Sequence, residues 1–199
     1  MSSRQKIIVG LLILMVIAIG GIIFVTNSEP EKPVITKIQG SPTGKVETKI
    51  EATMKLASSA FEKGQMIPDK YTCDGVNVNP PLSISDISSN TASLVLIMDD
   101  PDAPAGTWVH WVVANIDPKA AEIVENSVPM GAIEAITSFG KVGYGGPCPP
   151  QGTHRYFFKL YALDVKLDLP RSSTLADVEG AMTGHILGQS ELVGLYKRQ

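Results

Sequence analysis

The residues best suited to chemistry fall in two short stretches. One is Asp99-Asp100-Pro101-Asp102-Ala103-Pro104, running on to His110-Trp111. The other runs from Gly143 to Tyr156 and reads Gly-Tyr-Gly-Gly-Pro-Cys-Pro-Pro-Gln-Gly-Thr-His-Arg-Tyr. Glycine and proline fix the shape of each turn. His110, His154, Tyr156, Asp100 and Asp102 supply the polar tips. Imidazoles ordinarily titrate near neutral pH and donate hydrogen bonds on either side of it. Tyr156 adds a phenolic donor. The glycine loop offers backbone N–H groups, fewer than its length suggests because of its three prolines. Together these groups suit an oxyanion such as phosphate, sulfate or carboxylate. The aspartates repel anions, but a carboxylate bonded to one imidazole nitrogen orients the ring and favours its protonation. Binding is then expected to strengthen as pH falls through the histidine range.

Those side chains need strands to bring them together. Leu94 to Met98 is a continuous apolar run of strand length, as expected of a central strand covered on both faces. Trp108 to Asn115 is a second strand and Arg155 to Leu163 a third, rich in aromatics. Alternate residues of a strand share a face. His154, Tyr156 and Phe158 therefore point one way, with Arg155 opposite, and Trp108 shares a face with His110. If these strands are neighbours, His110, His154 and Tyr156 converge above one sheet, with the Asp-Pro-Asp turn at the end of the Leu94–Met98 strand. Many short strands with Pro/Gly turns point to a β-sandwich or a similar sheet-rich fold. One helix stands out, capped by Thr174 with Asp177 three residues on. Leu175, Val178, Met182 and Ile186 continue it at helical spacing. Gly180, Gly184 and Gly188 suggest close packing on the sheet, and His185 reads as a structural residue of this helix. The stretch from Glu191 to Arg198 suits a helical turn or a short strand. Composition also suggests a helix from Lys119 to Glu125 behind Pro118.

The chain has 199 residues and a formal net charge of −3. That is enough for one domain with a substantial core and an extra segment. Ile7 to Val25 carries no charge over 19 residues and follows Arg4 and Lys6. At about 1.5 Å per residue it reaches roughly 28 Å, near the hydrocarbon thickness of a bilayer. The basic flank keeps the N-terminus in the cytoplasm and the rest outside. A cleaved signal peptide is the alternative, but Phe24-Val-Thr-Asn-Ser28 is a poor cleavage site. The expected layout is a cytoplasmic stub at 1–6, a transmembrane anchor at 7–25, a linker at 26–52 and a folded domain at 53–199. Glu-Pro-Glu-Lys-Pro and Gly-Ser-Pro-Thr-Gly mark the linker. No basic patch for nucleic acid is present. Cys73 and Cys148 could form one disulfide in an exported domain, stay as two free thiols, or, for Cys148, act as a nucleophile. Their spacing fits no zinc pattern, and the chain reads as needing neither metal nor cofactor.

These motifs resemble the phosphatidylethanolamine-binding protein family, and most closely its bacterial and archaeal Raf kinase inhibitor-like branch. Asp100-Pro-Asp-Ala-Pro104, His110-Trp111 and the Gly145–Tyr156 stretch carry the likeness, with Tyr71-Thr-Cys-Asp-Gly75, Asn79-Pro-Pro-Leu82, Gly184-His185 and Leu192–Arg198. It covers residues 53 to 199. It implies a mostly β fold with a central antiparallel sheet, a smaller second sheet and a C-terminal helix. It implies an anion site made of Asp100, Asp102, His110, His154 and Tyr156, with the 146–150 loop, Gly146 and Pro147 included, as its rim. The family pocket accepts phosphate head groups and similar anions, and its members act mostly as binding or inhibitory modules towards kinases or serine proteases. Ile84 stands where tryptophan is usual, which would open one wall. Thr137-Ser-Phe-Gly140 stands where an Asn-bearing turn is common, and the likeness favours a loop over a helix at 119–125.

Three functions follow as expectations. The first is a membrane-anchored, extracytoplasmic protein that binds small anionic or phosphorylated ligands without turnover. The second is an inhibitor of an extracytoplasmic serine protease, acting through an exposed loop. The third, a hydrolase with His154 or His110 as general base, lacks a G-x-S-x-G elbow, a serine with an obvious partner and a metal set.

Overall fold

The computed structural model describes residues 54–199. The expected cytoplasmic stub, transmembrane anchor and linker lie outside the described residues. Among the described residues no helix is long and apolar enough to cross a membrane.

Two antiparallel sheets make up the fold. The larger contains β3 (Ser93–Asp100), β4 (Trp108–Ile116), β6 (Ile133–Glu134), β7 (His154–Leu163) and β8 (Ile186–Tyr196), in the order β6-β4-β3-β7-β8. The smaller holds β1 (Lys55–Ala57), β2 (Leu82–Ser85) and β5 (Glu122–Ile123), in the order β1-β2-β5. One α-helix among the described residues, α1 (Leu175–Met182), precedes β8. This is the mostly β, two-sheet architecture with a helix near the C-terminus that the motifs imply.

β3 is central, and every one of its residues is buried. Its alternation feeds two apolar layers. Leu94, Leu96 and Met98 face the layer shared with Leu56, Leu82 and Ile123 of the small sheet. Val95 and Ile97 face the layer completed by Val178 and Met182 of the helix. Each such large side chain contributes about 1.5–3 kcal/mol through the water it sheds. Ile84 is a buried member of the first layer, in β2.

The helix has its capping box: the Asp177 N–H donates to Thr174 Oγ1, and the Thr174 N–H to Asp177 Oδ2 at 2.8 Å. It stops four residues short of Ile186, which opens β8 instead. Gly184 takes φ +84°, a left-handed turn that no helix continues through. A Cβ on Gly180, Gly184 or Gly188 would meet nothing within 4 Å, so the glycine spacing is not a close-packing device. His185 lies in the turn before β8 rather than on the helix, exposed and paired with Asp164 at 2.8 Å. The 119–125 segment forms a turn, closed by the Ala120 N–H on the Asp117 carbonyl, and then β5. Composition favoured a helix there, but two ladder positions on β2 and the burial of Ile123 decide the outcome.

Candidate functional site

The end of β3 carries two acids on opposite faces. Asp99 follows Val95 and Ile97 to the helix side, where its Oδ2 accepts from Lys159 Nζ at 2.6 Å. Asp100 follows Leu94, Leu96 and Met98 to the other side and is 3% exposed. His154 opens the neighbouring strand β7, and its Nδ1 sits 2.7 Å from Asp100 Oδ2. A carboxylate accepts, so Nδ1 carries the proton and Nε2 is the open nitrogen. The other oxygen, Asp100 Oδ1, accepts the Asp102 N–H at 2.8 Å and closes the Asp-Pro-Asp turn. Tyr156, two residues along β7, shares the face of His154. Its side chain is completely buried; its hydroxyl makes no well-formed hydrogen bond, although the Asp100 carboxylate and the Cys148 N–H lie beside it. Burial, and then the Asp100 carboxylate, push the phenol well above its usual range, so it stays a donor.

His110 reaches this group through a fault in the ladder. Met98 pairs with Trp111 and Asp99 with Val109, which leaves His110 as an extra residue on β4. Such a bulge re-aims a side chain. Val109 and Val112 lie in the helix-side layer, so strict alternation between them is broken. His110 swings to the opposite side, edge-on to Tyr156 at 5.2 Å between ring centroids. Its backbone carbonyl, freed from the ladder, accepts the Gly145 N–H at 3.0 Å. Its Nδ1 donates to the Gly145 carbonyl at 2.6 Å. Burial holds the imidazole below its usual pKa, against the opposing pull of the Gly145 carbonyl and the Asp100 charge.

The rim loop is fastened from beneath. Cys148 and Cys73 form a disulfide. The Cys73 N–H donates to the Pro147 carbonyl at 3.1 Å, and the Gly146 N–H to Asn77 Oδ1 at 2.7 Å. Tyr144 donates its hydroxyl proton to the Tyr71 carbonyl at 2.7 Å. Gly146 and Pro147 are both buried. A Cβ on Gly146 would run into the Tyr71 carbonyl, Asn77 and Thr72, so only glycine fits. The loop was expected to offer its N–H groups to an anion. Those of Gly145 and Gly146 are instead spent inside the protein.

Asp102 is placed differently from Asp100. Its carboxylate accepts from the Arg155 N–H at 3.0 Å, from Nε at 2.9 Å and from Nη2 at 2.6 Å. The guanidinium holds its pKa down to about 2. Asp102 therefore stiffens the turn and the start of β7, and it acts on the cluster through its N–H to Asp100. Two contributors were not singled out from sequence. Phe139 sets its ring edge-on to both His110 and Trp108, at 5.5 and 5.4 Å. It sits in a turn closed by the Thr137 N–H on the Lys141 carbonyl, and Ser138 Oγ accepts the Val109 N–H beside the bulge. Asn77, the second, takes φ +63° and grips Gly146. The signal for the first was the unusual Thr-Ser-Phe-Gly turn. For Asn77 the signal was an asparagine in a Gly/Asn/Pro-rich segment, a residue that tolerates left-handed backbone.

Comparison with known proteins agrees with the fold. The family model described as phosphatidylethanolamine-binding protein matches residues 57–197. The UPF0098 protein of Methanothermobacter thermautotrophicus is 48% identical over 150 residues, covering 73% of this chain and 99% of that one. The UPF0098 protein of Aquifex aeolicus is 49% identical over 154 residues, 74% of this chain and 90% of that one. Among solved structures, a phosphatidylethanolamine-binding protein homolog from Chlamydia trachomatis superposes with a TM-score of 0.72 at 42% identity, covering 74% of this chain and 99% of that one. The matched part of this chain thus corresponds to nearly the whole of that solved chain. Escherichia coli YbcL, described as a member of the mammalian PEBP family, gives 0.70 at 28% identity, covering 74% of this chain and 100% of that one. A match through the strands, the Asp-Pro-Asp turn and the Cys148 loop alike places the chain in the phosphatidylethanolamine-binding protein family.

Proposed function

We propose that the chain binds small anionic or phosphorylated ligands at the cluster of Asp100, His110, His154 and Tyr156, without turning them over. The observation that carries this reading is the Tyr156 hydroxyl. A buried hydroxyl without a partner costs about 1–3 kcal/mol. Here it lies beside a buried His154–Asp100 pair whose outer nitrogen is open. A ligand oxygen that carries a proton, accepting from the hydroxyl and donating its own O–H to that nitrogen, would satisfy both groups at once. Binding rather than chemistry also suits the cysteines, since the one weighed as a nucleophile is held in the disulfide.

The test is calorimetric titration of residues 53–199 with phosphoethanolamine and with inorganic phosphate at pH 6, beside His154→Ala. Saturable binding that the substitution removes is the expected result. No heat and no ligand-dependent rise in melting temperature would refute the reading, because any ligand held by the native state must raise its stability.

The setting we propose is extracytoplasmic and membrane-anchored, on the strength of the charge-free 7–25 segment and its basic flank. Sedimentation of the full chain with membranes, resistant to high salt, is the expected behaviour. A second reading, inhibition of an extracytoplasmic serine protease, is favoured by one feature. Met130 stands 97% exposed on the turn after Pro129, a large apolar side chain offered to a partner's pocket. Dose-dependent loss of chymotrypsin-like or elastase-like activity tests it.

A further inference from the structure

An anion receptor is usually rich in donors, and this cluster is poor in them. The N–H groups of Gly145 and Gly146 are spent on the His110 carbonyl and on Asn77. Pro147, Pro149 and Pro150 have none. His110 donates through Nδ1 to a carbonyl, which can only accept, so a neutral ring presents a lone pair at Nε2. The Asp100 carboxylate is buried at the base of the group and accepts on both oxygens. That leaves the Tyr156 hydroxyl with the Cys148 N–H beside it, and the outer nitrogen of His154 when that ring is charged.

The groups around His110 keep it an acceptor. Asp99 and Asp100 approach from β3, His154 and Tyr156 from β7, and the carbonyls of Gly145 and Gly146 from the loop. Phe139 closes the remaining side and cannot ionise. The acids and carbonyls favour a charged ring, but desolvation by these walls outweighs them, so burial holds the pKa below its usual value and favours the neutral ring.

We infer that the cluster takes its oxyanion with a proton on it: a phosphomonoester or inorganic phosphate that still carries a P–OH, in preference to a phosphodiester or sulfate, which carry none. The ligand's own O–H donates to His110 Nε2, and the Tyr156 O–H donates to a second ligand oxygen. A diester of equal charge would bring a lone pair against the His110 lone pair and leave that nitrogen without a donor. An intact phospholipid head group is such a diester. The inference rests on the reading of the cluster as an anion site, and it names the chemistry that site selects.

The experiment is titration calorimetry of residues 53–199 at pH 6 and constant ionic strength with four probes: phosphoethanolamine, inorganic phosphate, glycerophosphoethanolamine and sulfate. Near this pH about half of a monoester keeps its proton, and sulfate keeps none. Phosphoethanolamine and phosphate are expected to bind at least about tenfold more tightly than the diester and sulfate, the fold-change set by one unmatched buried polar contact. His110→Gln, whose amide offers an N–H near the position of Nε2, is expected to narrow that ratio while keeping binding. Equal affinity for all four probes, or tighter binding of the diester, would overturn the inference and leave the anion site standing. Binding of none of them would overturn both.

Discussion

Breaking the Cys73–Cys148 bridge should lower stability far more than it loosens the rim loop. The two cysteines are 75 residues apart in sequence, and their Cα atoms sit 5.4 Å apart in the fold. A cross-link across a loop of that length removes conformational freedom mainly from the unfolded chain, and loop-closure entropy puts this at about 4.5 kcal/mol at 25 °C. For a domain of this size each kcal/mol moves the melting temperature by about 2–4 °C, so the loss should be roughly 9–18 °C. Native contacts across the bridge survive its removal. The Cys73 N–H still reaches the Pro147 carbonyl, Gly146 still donates to Asn77, and Tyr144 still donates to Tyr71. Phosphate affinity should therefore change less than about threefold, under 0.7 kcal/mol by the usual conversion. Cys148 is exposed, so a phosphine reductant can reach it. The assay is calorimetric melting of oxidised protein, reduced protein and the Cys73→Ala/Cys148→Ala double variant. A melting difference below about 3 °C would refute the loop-closure reasoning. A large fall in affinity with a small fall in stability would mean that the bridge shapes the native loop rather than restricting the unfolded chain.

Two further predictions concern charge. Asp102 has a folded pKa of about 2 against an ordinary value of 3.8, so its stabilisation is present above about pH 4 and is lost as pH falls towards 2. Arg155 is more than half exposed, so Asp102→Asn should cost no more than about 1 kcal/mol at neutral pH, read by urea unfolding, and should flatten the acid limb of the stability profile. His110 gives the same sign for a different reason. Its folded pKa lies below the unfolded value near 6.5, so on acidification the unfolded chain takes up a proton that the native ring declines. Stability without ligand should fall as pH drops below about 6.5. A His110→Gln variant that kept the same slope in this window would show that His110 is not the group responsible.

Much of the architecture was legible because hydrophobic pattern is a strong signal. The unbroken run from Leu94 to Met98 could only be satisfied by a strand covered on both faces, and β3 is that strand. Thr174 and Asp177 fixed where α1 begins. Its end is not legible, because Met182 and Ile186 fit helical spacing while Gly184 turns the chain left-handed between them. The 119–125 segment misleads for a related reason. Its composition suits a helix, but seven residues rarely sustain one without packing, and the edge of β2 offers pairing instead. Residue types at the site were legible, and so were the strands that carry them. Which hydrogen bonds the glycine loop had already used was not. The Asn77 and His110 partners come from 69 and 35 residues away, and no local pattern encodes such distances.

The bulge at His110 shows why sequence could suggest the cluster but not derive it. Had β4 kept strict alternation, His110 would have shared the face of Val112, on the helix side and away from Tyr156. One extra residue between Val109 and Trp111 reverses that. The adjacent acids complete the logic. Asp99 turns to Lys159 and is neutralised in the helix-side layer, whereas Asp100 turns to His154 and has no lysine or arginine of its own. The Arg155 guanidinium is already held by Asp102. The site is thus assembled around a carboxylate and two imidazoles rather than around a fixed cation. A receptor built that way discriminates by the number and placement of protons more than by total charge, because every acceptor it presents must meet a donor.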